Sequence, residues 1–122
     1  MALTKSRTSL HSSITLTAGA GNTTSSTVDN TGSYGTQVDI SLTNGATGPT
    51  VAAQVQIQVA ADSGGTLWVS FGGPLVGSTT NSAVSSWSVD LPIGVGAFRL
   101  VSGSNTAQNV TINADYSLTT AI

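Results

Sequence analysis

Cysteine and glutamate are absent from this 122-residue sequence, and charged residues of every kind make up only 7% of it, against about 25% in a typical soluble domain. Without cysteine there is no disulfide framework, so secretion is neither supported nor excluded. Aromatics are sparse, with two each of Trp, Tyr and Phe. No segment approaches the roughly 20 apolar residues of a membrane-spanning helix. The opening MALTKSRTSLHSSITL has no apolar run of signal-peptide length, so the expected chain is soluble and made in the cytoplasm.

The missing residues also limit the chemistry. His11 is the only histidine, so a Ser/His/Asp arrangement would have to be built on the N-terminal segment. The strand phases of the five aspartates give no reason to expect a catalytic carboxylate pair. Asp29-Asn30 and Asp62 lack the dense oxygen spacing of a calcium loop, and Gly19 to Gly21 is a turn with no helix after it to cradle phosphate. No catalytic residue, metal or cofactor is expected, nor a small-molecule ligand.

What remains is rich in Ser (18), Thr (19) and Gly (14). Thr and Val suit a pleated backbone, and the best helix formers are scarce, so an all-β chain is expected. One domain by length, it divides into a basic N-terminal arm, 1–12, and a β-sandwich body, 13–122. The arm holds Lys5 and Arg7, with His11 a further cation when protonated, while the rest has Arg99 against five aspartates, a net of -4. Such an arm is either a solvated terminus or a dock for an acidic neighbour. Two cations are too few for a nucleic-acid site.

Alternation of apolar and polar residues predicts about seven strands. They cover 13–17, 33–43, 51–59, 66–71, 85–91, 97–102 and 108–118, and are separated by turn residues such as Asn44-Gly45, Asp62-Ser63-Gly64-Gly65 and Gly72-Gly73-Pro74. Seven short strands describe an antiparallel β-sandwich, jelly-roll or immunoglobulin-like. In 66–71 the shared face is Leu67, Val69 and Phe71, which aims Trp68 away from the core, at solvent, a covering loop or another chain. Trp87 shares its face with Val89 and Leu91 and is core by phase.

The strand at 51–59 buries Ala53, Val55, Ile57 and Val59 and turns Gln54, Gln56 and Gln58 outward. These amides are either solvated or a lateral contact face, since they both donate and accept hydrogen bonds and cost less to desolvate than Lys or Glu. A β protein with so few charges lacks the usual guards on its strand edges, so a dimer, a trimer or a covering partner is expected.

Taken together, MALTKSRTSL, ISLTNGATGPT, AQVQIQVA, FGGPLVG, SWSVDLPIGV and RLVSGSNTAQNVTINADYSL resemble the small β-sandwich structural proteins of tailed bacteriophages, and among them capsid decoration, or cement, proteins. That resemblance implies a non-enzymatic subunit on the outer capsid surface of a virion, made in the host cytoplasm. Its partners would be the major capsid protein and further copies of itself, with Lys5, Arg7, His11, Gln54, Gln56, Gln58 and Trp68 as contact candidates. A tail or baseplate subunit and a carbohydrate-binding module using Trp68 are the alternatives.

Overall fold

The computed structural model describes residues 3–121 and is built of strands and turns, with no helix among the described residues. Ten strands follow in order: β1 (Leu3–Leu16), β2 (Thr23–Thr24), β3 (Val28–Asp29), β4 (Gly35–Asn44), β5 (Gln54–Ala60), β6 (Val69–Ser70), β7 (Leu75–Val76), β8 (Val84–Leu91), β9 (Ala97–Gly103) and β10 (Val110–Ala121). They form two antiparallel sheets, ordered β1-β10-β4-β8 and β2-β9-β5-β6, with β3 also pairing β9 and β7 also pairing β5. The all-β sandwich expected from the alternation is the architecture observed.

The inward residues of four strands make most of the core: Val38, Ile40 and Leu42 of β4, Val55 and Ile57 of β5, Phe98 and Leu100 of β9, and Val110, Ile112 and Ala114 of β10. Burying each large side chain contributes about 1.5–3 kcal/mol. Phe98, fully buried, meets Tyr116 edge-on, with ring centroids 5.5 Å apart and an interplanar angle of 84°. Buried amides tie the loops to this core. Asn30 donates from Nδ2 to the Val95 carbonyl at 2.9 Å and accepts the Thr36 hydroxyl, while Asn105 Nδ2 donates to the carbonyls of Leu16 at 2.9 Å and Gln108 at 2.8 Å.

The N-terminal segment departs from the expectation. Residues 3–12 are no loose arm: β1 runs across the expected boundary and pairs with β10 from Leu3↔Ala121 to Leu16↔Val110. Met1 and Ala2 of that expected arm lie outside the described residues. Lys5 and the stretch Arg7 to Ser9 are exposed, so these residues are held by the ladder to β10 with little burial of their own. Alternation signals only strands with one covered face. Two register shifts, between Ser9 and His11 and between His11 and Ile14, bend the strand. Ser13 there has φ +50°, and its backbone N–H donates to Asn113 Oδ1 at 2.8 Å.

The stretch expected to be one strand over 66–71 also differs. Only Val69–Ser70 pair with β5, and both Leu67 and Val69 are exposed while Phe71 packs against the core. The chain from 61 to 76 drapes over β5 in pieces, which breaks the period. Because β1 is an integral strand, deleting residues 1–12 should lower the melting temperature by about 10 °C or more, corresponding to roughly 2–3 kcal/mol for a domain of this size. A circular-dichroism melt that does not move would restore the loose-arm reading.

Candidate functional site

The seven candidate contact residues fall in three places. Gln54, Gln56, Gln58 and Trp68 belong to the six-stranded sheet and its covering loop, Lys5 and Arg7 lie on β1 of the other sheet, and His11 is buried. They do not form one site.

On β5 the three glutamines are half-buried, and each has a partner within the chain. Gln58 Oε1 accepts from Arg99 Nε at 2.8 Å. Gln56 Nε2 donates to the carbonyls of Ile57 at 2.9 Å and Gly72 at 3.2 Å, and Gln54 Nε2 reaches Ser104 Oγ at 3.4 Å. Glutamine suits these positions because one side chain can both donate to a loop carbonyl and accept from a guanidinium.

The Arg99 guanidinium carbon lies 4.3 Å from the centroid of the Trp68 ring, within cation–π range. Arg99 therefore links the indole to Gln58. The turn before Trp68 is set by Asp62, whose carboxylate accepts the Thr66 backbone N–H at 2.9 Å and the Thr66 hydroxyl at 2.7 Å. These two bonds, the backbone one foremost, hold the Asp62 carboxyl below the usual carboxylate range. Gly65 has φ +70°, and a β-carbon there would fall 2.1 Å from Trp68 Cζ2, so only glycine lets the indole lie over this turn. Trp68 is half-buried, in the phase opposite to its exposed neighbours, under Arg99.

On the four-stranded sheet Ser, Thr, Asn, Gln and Asp share the outward face with Lys5, Arg7 and Val84, and a depression of about 530 Å³ there is lined by Arg7, Asp39, Ser41, Ser86, Ser88, Asn113 and Asp115 together with Ile40, Trp87 and Ala114. Two carboxylates meet there, contrary to the expectation from strand phase: Asp115 of β10 is the direct cross-strand neighbour of Asp39 on β4. Like charges in that relation repel. Arg7 offsets the repulsion, donating to Asp115 from Nε at 3.0 Å and also from Nη2. The hydrogen bond and the charge of Asp115 hold Arg7 more firmly protonated than usual. Both aspartates have outward phase in the sequence, but their meeting depends on the β10–β4 register, which alternation does not reveal.

No group of three or more His, Cys, Asp or Glu residues suited to a metal ion occurs among the described residues. A second depression, of about 360 Å³, is apolar, lined by Val59, Leu67, Val69 and Val95 among others.

No family model matches the chain, and no curated protein matches it. Solved structures do share its fold. The infectious bursal disease virus VP2 subviral particle protein aligns over 97% of this chain at 10% identity with a TM-score of 0.59. The present chain spans about a third of that protein's length, 33%. A protein of Bacillus endospore appendages, described as disulfide-linked pili, aligns over 98% of this chain and 89% of its own at 13% identity and a TM-score of 0.51. The SPBc2 prophage-derived protein YomS aligns over 96% of both chains, again at 13% identity and a TM-score of 0.51. At such identities the likeness is one of fold.

His11 corrects the picture of a third cation in a basic arm. Its side chain is 8% exposed, Nε2 has no hydrogen-bond partner, and burial pushes its pKa below the ordinary imidazole value. The unfolded chain therefore binds a proton near pH 6.5 that the folded chain refuses. The neutral-histidine contribution is complete above that pH and is lost as the pH falls below it, until the folded pKa is reached. Asp29, lowered by its hydrogen bonds from Thr31, and Asp62 act only further down, below about pH 4. Melting temperature should thus decline as the pH is lowered from 7 towards 5, and His11→Gln should flatten that decline. An unchanged slope in the variant would contradict the assignment.

Proposed function

We propose that this chain is a non-enzymatic structural subunit of a virus particle, a capsid decoration or cement protein that binds the outer shell and other copies of itself. The observation that carries the reading is the make-up of both outer sheet faces. Ser, Thr, Asn and Gln supply most of their polar groups, and the whole sequence has only eight charged residues, Lys5, Arg7, Arg99 and five aspartates. Surfaces of this kind can be covered by neighbours without stripping water from many full charges. The fold shared with a virus capsid protein and a prophage-derived protein supports the reading, as does the phrase-level resemblance to phage structural proteins.

In this role each contact is weak, and the effect comes from many copies spanning adjacent shell subunits. Lys5 and the outer edges of Gln54, Gln56 and Gln58 are the groups that would reach a neighbour. Arg7 already serves Asp115. Trp68 is a poor open platform for a sugar ring because Arg99 stacks on it, and this weighs against the carbohydrate-binding alternative.

Two measurements test the proposal. Gold-labelled antibody on purified virions should decorate the shell. Label confined to the tail would make the chain a tail or baseplate subunit, and unlabelled virions would contradict a virion role. Binding of the purified protein to shells should also change by less than about twofold between 0.05 and 0.5 M salt, because few exposed charges are available to be screened. A steep loss would show that charge pairs carry the attachment.

A further inference from the structure

Sheet edges expose unpaired N–H and C=O groups, and native proteins blunt them with charges, bulges, short strands or proline. Three of the four edges here are blunted. The β1 edge carries Lys5 and Arg7, two register shifts and the left-handed Ser13. On one side of the six-stranded sheet, β2 and β3 are two-residue pieces. On the other side, β6 and β7 are two-residue pieces separated by Gly72-Gly73-Pro74.

The fourth edge, β8, has none of these devices. Val84–Leu91 pairs residue for residue with β4, from Val84↔Thr43 to Leu91↔Thr36, without a register shift. Its eight residues include no proline, no glycine and one charge, Asp90. Among the described residues, no backbone or side-chain hydrogen bond is made to the outer side of Val84–Leu91. With alternate residues facing out, about eight backbone groups are left to water along roughly 26 Å of strand. Trp87 and Val89 pack against the core yet remain half-buried, because the sheet stops beside them. Val84 is 62% exposed.

We infer that β8 is a pairing edge for β8 of a second copy, joined antiparallel across a two-fold axis into one continuous eight-stranded sheet. The inference rests on the reading of the chain as a subunit of an assembly. The partner is a second copy because the segment is complementary to itself. Keeping the two cores on the same side of the joined sheet requires a self-paired central residue. With Ser86, Trp87 or Ser88 at the centre, Asp90 falls opposite Ser82, Val84 or Ser86, never opposite the other Asp90. No like charges therefore meet across the axis, and the outer rows are otherwise serine and valine. Pairing would cap the outward backbone groups and cover the open flanks of Trp87 and Val89. The same symmetry closes the contact on itself, giving a dimer without a growing fibre.

Sedimentation of the wild-type chain over a range of concentrations should show a monomer–dimer equilibrium. The double variant Ser86→Lys/Ser88→Lys, which sets ammonium groups opposite each other in each of the three registers, should weaken it by about tenfold or more, whereas Thr8→Lys on the β1 edge should leave it unchanged. The sequence lacks cysteine, so the double variant Ser86→Cys/Ser88→Cys offers a readout that does not depend on how the lysine variant folds. Under mild oxidation it should cross-link into a covalent dimer in any of the three registers, and a single cysteine at Thr8 should not. A dimer that survives Ser86→Lys/Ser88→Lys and gives no cross-link would place the contact elsewhere, overturning this inference while leaving self-association intact. A monomer at every concentration that still decorates shells would overturn the inference and leave the proposed function standing; one that also ignores shells would overturn both.

Discussion

The backbone of a β-sandwich must satisfy its hydrogen bonds at the edges as well as in the middle, and this chain meets that demand with only three Lys and Arg residues and no glutamate. Geometry takes the place of charge. The central strands β5, β9, β4 and β10 are paired on both sides, and the edges of the six-stranded sheet are cut into two-residue pieces too short to template a neighbour. On β1 the two charges available, Lys5 and Arg7, are combined with bulges, and Asn113 holds the turned backbone at Ser13. Only β8 is left straight, even and nearly uncharged. Its exception gives the fold a direction in which it can grow by one partner.

The outer faces follow the same economy. Where another protein would place Lys and Glu pairs across strands, this one places hydroxyls and amides whose donors and acceptors are partly met within the chain. Gln58 is tied to Arg99 and through it to Trp68, while Gln56 holds the backbone of the covering loop at Gly72. The one adverse charge contact, Asp39 beside Asp115, sits where Arg7 can reach it. Such a surface gives up little on being covered, a property suited to a subunit that works among neighbours.

Most of the body was legible from alternation, because β4, β5, β9 and the first half of β10 each have one face in the core. The polar half of β1 was not, since it holds its place by pairing with β10 and Lys5, Arg7, Thr8 and Ser9 are exposed in succession without a buried phase. Leu67 and Val69 alternate as a buried strand would, yet the two-residue length of β6 and the turn at Gly65 leave both exposed. His11 looked like part of a basic cluster because its neighbours in sequence are Lys5 and Arg7. The bulges on either side of it carry it inward instead. The Asp39–Asp115 neighbourhood depends on register between residues 76 apart in sequence, set by the packing of Ile40 and Ala114 on the shared core face, a long-range match that no local pattern records.

Amide hydrogen exchange, followed residue by residue in dilute protein and in the assembled state, probes the open edge most directly. The outward-facing amides of β8 should exchange rapidly in the monomer and become protected on assembly, while β1, β4 and β10 change little. If β8 is already protected in the monomer, or if the new protection appears on β1 instead, the open edge does not serve as the site of assembly.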